Sequence, residues 1–123
     1  MKLRILDNSI RLRLTRGEVE QICNDGLVRG RVSFPANRYF DYVLESSPAS
    51  VKTEAQLLQN VITVRVPQDD VHKWAKSAQV SIESEQTLEG GEQLRILIEK
   101  DFACLAPRAG EDESDMFPNP GAG

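Results

Sequence analysis

Arginines at alternate positions in Ile10-Arg11-Leu12-Arg13-Leu14, and again at Arg65 in Ile62-Thr63-Val64-Arg65-Val66, are the residues best placed to do chemistry in this sequence. A guanidinium presents a planar fork of donors that matches a carboxylate or a phosphate, so a ladder of them on strand faces makes an anion-binding surface. Arg4, Arg29 and Arg31 fall in neighbouring strand-like runs and could extend it. The competing use is structural, with the same side chains alternating with core residues and pairing across strands with Glu83, Glu85 and Glu99. That pairing is the preferred expectation. A third use is internal, with the acidic run Glu111-Asp112-Glu113-Ser114-Asp115 lying on the ladder.

Covalent chemistry has one candidate location. Asp101, Cys104 and Arg108 lie where strand-like alternation stops, and a thiolate there needs a base or a positive neighbour to lower its pKa. Lys100 and Arg108 supply charge, but no cysteine–histidine pair is visible, so packing is the expected role of Cys104. Cys23 falls on a helical apolar face and reads as a small core residue. His72 is the only histidine and reads as a solvated surface residue. One histidine excludes a histidine-pair metal motif, so neither a metal site nor a cofactor is expected. The acidic run lacks the alternating ligands, central glycine and terminal glutamate of a calcium loop. Ser114 has no nucleophile elbow around it.

The elements that must position these side chains follow from periodicity. Lys2 to Leu6 and Ile10 to Leu14 alternate with period two, the mark of strands with one buried face. Thr15-Arg16-Gly17-Glu18 matches a capping box, Val19, Ile22 and Cys23 share a helical face, and Gly26 supplies the left-handed stop. Val28, Gly30, Val32 and Phe34 then alternate with Arg29, Arg31 and Ser33, Pro35 to Arg38 turn, and Tyr39 to Glu45 return. Val51 to Leu58 fits a strand or a helical turn, and the strand is preferred because Gln59-Asn60 then closes a hairpin onto Val61 to Val66. Pro67 suits a first helical turn and Asp69 and Asp70 complement its dipole, with Val71, Trp74, Ala75 and Ala78 as the apolar face. Val80 and Ile82, a turn at Glu89-Gly90-Gly91-Glu92, and Leu94, Ile96 and Ile98 make the last hairpin, with Leu97 off the alternation.

These elements repeat. A shift of 52 places brings Ile10 onto Ile62, Arg13 onto Arg65, Val19 onto Val71, Ile22 onto Trp74 and Val28 onto Val80. One such unit leaves an apolar sheet face in water, whereas two in tandem can close it. The expected fold is therefore α+β, a duplicated βαββ unit forming a mostly antiparallel barrel-like or sandwich sheet with two short helices. The domain is placed at 1–100, with repeats at about 10–45 and 62–99. Residues 101–123, with three prolines and three glycines, form an acidic tail that is either docked or disordered.

Composition narrows the function classes. The chain has 123 residues, enough for one core, which a 6% aromatic share makes mainly aliphatic. Residues 1–51 carry 8 basic and 6 acidic groups, and residues 52–123 carry 7 basic and 13 acidic groups. Nucleic-acid binding draws on a clustered positive field, so with a net charge of -4 it is not the expected activity. No segment approaches the roughly 18 apolar residues of a membrane span, and Met1 to Leu6 does not read as a secretory signal. Two cysteines do not make a disulfide framework, which points to a reducing cytoplasm.

The strand–helix step Val66-Pro67 and the element order over residues 10–45 and 62–99 resemble the cradle-loop barrels, which include AbrB-type swapped-hairpin regulators and double-psi barrels. The glycine-arginine that precedes the strand in the AbrB type has no counterpart at Asn60-Val61. At a finer level the chain resembles a small family of uncharacterised bacterial proteins. That resemblance is carried by Asn8 to Thr15, by Glu99 to Leu105, by the acidic run, and by Phe117-Pro118-Asn119-Pro120. It implies no activity. The resulting expectation is a non-enzymatic cytoplasmic binding or interaction module, with a protein partner or a second copy as its contact. The alternatives are a DNA-binding regulator using Arg11, Arg13, Arg29 and Arg31, and an enzyme built around Asp101, Cys104 and Arg108.

Overall fold

The computed structural model describes residues 1–101, which form eight strands and two helices. In chain order these are β1 (Lys2–Leu6), β2 (Ser9–Leu14), α1 (Arg16–Asp25), β3 (Leu27–Phe34), β4 (Arg38–Ser47), β5 (Glu54–Leu58), β6 (Val61–Pro67), α2 (Gln68–Ala75), β7 (Ser81–Thr87) and β8 (Gln93–Lys100). The capping box is present, with the Glu18 amide donating to Thr15 Oγ1 at 3.3 Å and the Thr15 amide donating to Glu18 Oε1 at 3.0 Å. Gly26, at φ +75°, ends α1 by donating its N–H to the Ile22 carbonyl. Gln59 and Asn60 both take positive φ, as a two-residue turn matched to strand twist requires. The second helix differs from expectation at both ends. Pro67 closes β6 and stands at the cap position, outside the helix, and Ala78 lies beyond its last turn.

Two four-stranded sheets are built, in the orders β1-β2-β8-β7 and β3-β4-β6-β5. In each the outer pairs are antiparallel and the central pair, β2 with β8 or β4 with β6, is parallel. Both sheets therefore take their leading hairpin from one half of the chain and their trailing hairpin from the other. The helices make this crossing: α1 carries the chain from the end of β2 to the start of β3, and α2 from the end of β6 to the start of β7. The two helices touch, and they cap one end of the molecule. All four hairpin turns lie at the other end.

The registers of the two halves coincide. Arg13 stands opposite Glu99 and Arg65 opposite Glu45, so the shift of 52 holds through the central strands. Beyond the helices the shift becomes 54, because Val28 opposite Leu44 corresponds to Ile82 opposite Ile98. The link after α2 is four residues longer and α2 itself two residues shorter than α1, which together account for the change, so the equivalence of Val28 with Val80 is corrected. Val80 is exposed, and its carbonyl accepts a hydrogen bond from Trp74 Nε1 at 2.9 Å.

A single aliphatic core runs through both sheets and both helices. Leu14, Ile22, Val66, Trp74 and Ile98 are fully buried near the helical end. Exposure rises toward the turns, from 2% at Val28 to 44% at Val32 and 53% at Phe34 along the inward face of β3. Ile5 and Leu57 on the inward faces of the edge strands β1 and β5 reach 56% and 69%. The sheets are thus not closed into a barrel, and Val32 and Phe34, in phase with the buried Val28, are left exposed near the turn. One seam between the sheets is stitched, since the Gln86 side-chain amide on β7 bonds both the N–H (2.8 Å) and the C=O (3.2 Å) of Ala55 on β5. The other is held at its helical end, where Tyr42 Oη donates to the Met1 carbonyl at 3.1 Å.

Candidate functional site

The arginines do not form one ladder. Arg11 and Arg13 lie on the outward face of the first sheet and Arg65 on the outward face of the second. Arg13 Nε donates to Glu99 Oε1 at 2.9 Å, and Arg11 Nε is 3.6 Å from the same oxygen. Arg65 Nε donates to Glu45 Oε2 at 2.9 Å, the same interaction at the repeat-related position. Lys2 pairs with Asp101 at 3.3 Å and Arg95 with Glu85 at 3.7 Å. A groove of about 400 Å³ does run over Lys2, Leu3, Arg4, Arg11 and Arg13, but Glu99 and Asp101 neutralise much of its charge. The exposed Arg95–Glu85 pair contributes at most about 1 kcal/mol, whereas the Glu99 carboxylate is largely covered by its two arginines.

Arg31 has a different role. Its Nε and Nη2 grip Asp41 Oδ1 and Oδ2 at 2.8 and 3.0 Å, and its guanidinium lies over the Tyr39 ring at 4.3 Å. Asp41 is only 7% exposed although it faces outward, because this fork covers it. The hydrogen bonds from Arg31 hold the Asp41 carboxyl below its ordinary range and raise the guanidinium in turn. At the repeat-related site the signs are exchanged, with Glu85 on the edge strand and Arg95 beside it. Burial works to raise the Glu18 carboxyl, but hydrogen bonds from the N-terminal ammonium and Thr15 outweigh it and hold that group low.

Of the covalent candidates only Asp101 is described; Cys104, Arg108, Ser114 and the acidic run lie outside the described residues. Asp101 donates its backbone N–H to the Leu14 carbonyl at 2.8 Å. It borders a pocket of about 590 Å³ whose other walls include Leu14, Val19, Ala75 and Lys100. Cys23 is half-buried against the core, and His72 is half-buried on α2 where a solvated position was expected. Among the described residues no group of three or more histidine, cysteine or acidic side chains could hold a metal ion.

The surface that sequence reasoning passed over is the end opposite the helices. Phe34, Tyr39, Phe40 and Tyr42 fall within nine positions of one hairpin, in a chain with seven aromatic residues in all. Phe34, Pro35, Arg38, Tyr39, Phe40 and Asn60 line a groove of about 460 Å³ there. Ile5, Leu6, Leu57 and Leu58 are exposed on the two neighbouring hairpins at the same end. Arg31, locked on Asp41, lies over the ring of Tyr39, one of the lining residues. Arg38 has no ion pair among the described residues, so the groove joins an apolar floor to one unengaged guanidinium in its lining. Aromatic clustering around Pro35 was the available signal, obscured because Val32 and Phe34 also satisfy the period-two pattern of a core strand.

The model of a family of unknown function (DUF7009) matches residues 1–121, and the chain belongs to that family. No curated protein and no solved structure matches it. Among the described residues no helix is long and apolar enough to cross a membrane.

Proposed function

We propose that this member of a family without an assigned activity is a non-catalytic binding module that takes an apolar segment of a protein at its helix-distal end. The observation that carries the reading is the opening of the core. Ile5, Val32, Phe34 and Leu57 point between the sheets by register and are nonetheless 44% to 69% exposed. Large apolar side chains left exposed together at one end of a molecule are candidate interaction sites. Aromatic residues on a rigid hairpin anchor a partner at low entropic cost. Two cysteines and a resemblance to bacterial proteins support a bacterial cytoplasm as its setting.

The DNA-binding alternative finds less support, because Arg11, Arg13 and Arg31 are engaged by Glu99 and Asp41. The enzymatic alternative rests, among the described residues, on Asp101 alone. A peptide array of extended twelve-residue segments, grouped as aromatic, proline-containing, acidic or basic, tests the reading with the full chain. Apolar and proline-containing peptides are expected to bind, and Phe34→Ser with Tyr39→Ser is expected to weaken them at least tenfold at unchanged thermal stability. Binding that survives both substitutions, or no binding in any class, refutes the proposal.

A further inference from the structure

The groove at the β3–β4 turn has a chemistry that one segment of this same chain matches in order. An apolar trough lined by Phe34, Pro35, Tyr39 and Phe40 also takes Arg38 into its lining, and Arg38 has no ion pair among the described residues. In the C-terminal stretch, Glu111-Asp112-Glu113-Ser114-Asp115 is followed directly by Met116-Phe117-Pro118-Asn119-Pro120. We propose that Met116–Pro120 docks in this aromatic groove of its own chain, with the acidic run that precedes it drawn toward Arg38. The proposal rests on the binding reading above and names the occupant of that same surface.

Three considerations support it. Proline-rich segments enter aromatic-lined grooves at low entropic cost because their backbone is already restricted. Such segments carry carbonyls without partners of their own, and the side-chain amide of Asn60 at the groove wall is a donor for one of them. The second is charge. Residues 102–123 carry four acidic groups and one basic group, whereas the rival docking place over Lys2, Arg11 and Arg13 is already engaged by Glu99 and Asp101. The third is reach. Asp101 is at the helical end and the groove at the other, a separation set by the length of β4, ten residues or about 33 Å. The fifteen steps from Asp101 to Met116 span at most about 50 Å, enough for one chain to close on itself.

The test compares the ¹⁵N spectra of the full chain with those of a full chain carrying Phe117→Ser and Pro118→Ser. It then titrates each with a synthetic peptide of residues 110–120. The expected differences fall on Phe34, Arg38, Tyr39, Phe40 and Asn60 and do not change with protein concentration. The peptide should bind the substituted chain roughly tenfold more tightly than the native one, because a tethered segment competes at an effective concentration of about 1 mM. Differences confined to the C-terminal stretch, differences mapping to Lys2–Leu14, or differences that grow with protein concentration overturn the proposal. If array peptides bind at the groove and the 110–120 peptide does not, the self-docking falls and the binding reading stands. If neither binds, both fall.

Discussion

Replacing Gly30 with alanine puts a methyl group where the Tyr42 ring lies. A Cβ built on Gly30 meets Tyr42 Cζ and Cε2 in collision and comes 2.5 Å from Oη. Gly30 stands opposite Tyr42 in the β3–β4 register, so the ring covers the glycine, and its hydroxyl reaches on to the Met1 carbonyl at 3.1 Å. Three contributions set the magnitude. Overpacking that forces the ring off its site costs about 1–3 kcal/mol. The lost hydrogen bond adds about 1 kcal/mol, and the reduced freedom of the unfolded chain returns about 0.4–1 kcal/mol. The net is about 2 kcal/mol of destabilisation. With a urea slope of about 1.5 kcal/mol/M, the unfolding midpoint should fall by roughly 1 M. Repeating Gly30→Ala in a Tyr42→Ala background should cost almost nothing, since the obstructing ring is gone. An equal cost in both backgrounds would refute the reasoning.

Gln86→Leu removes both amide bonds to Ala55 and should cost about 2 kcal/mol. Its signature is local, with the Ala55 amide exchanging much faster with solvent while amides of the β4–β6 pair keep their protection; uniform acceleration would show that the stitch is not a separate feature. Acid should destabilise the fold through Asp41 and Glu18, both held low in the folded state. Their contribution is complete above the unfolded carboxylate values near pH 4 and is lost as pH falls through the lower folded values. Urea midpoints measured from pH 7 to pH 2 should therefore drop below about pH 4, less steeply in Arg31→Gln; an unchanged acid limb in that variant would remove Arg31 as the cause.

Much of the local structure was legible because local rules decided it. Thr15 and Glu18 announce a cap, Gln59-Asn60 a tight turn, and alternate aliphatic residues the inner faces of β2, β6 and β8. Partner choice was not legible. Period-two alternation says which side of a strand is buried but not which strand lies beside it, so nothing local in Leu12 or Ile98 indicates that they pair across the whole chain. The same limit let Val80 stand in for Ile82, because a link of five residues and one of a single glycine both follow an apolar helix. Arg13 and Arg65 were visible as a coincidence, but their carboxylates, Glu99 and Glu45, come from the opposite half in each case. The aromatic groove was missed for a related reason: Phe34 obeys the core pattern and is exposed only because the sheets part near the turns.

The crossed pairing also sets an order of events during synthesis. The second sheet is contained within Leu27–Pro67, whereas Ser9 on β2 finds its neighbour Arg95 on β8 only 86 positions later. At translation rates of about 5–20 residues per second, the β1–β2 hairpin waits roughly 4–17 s with its aliphatic face unpaired. Closing so long a loop makes the first sheet the slow step in refolding as well. The nascent chain thus passes through a stage in which one sheet is complete and Leu12 and Leu14 remain open to chaperones, or to the same hairpin on a neighbouring nascent chain.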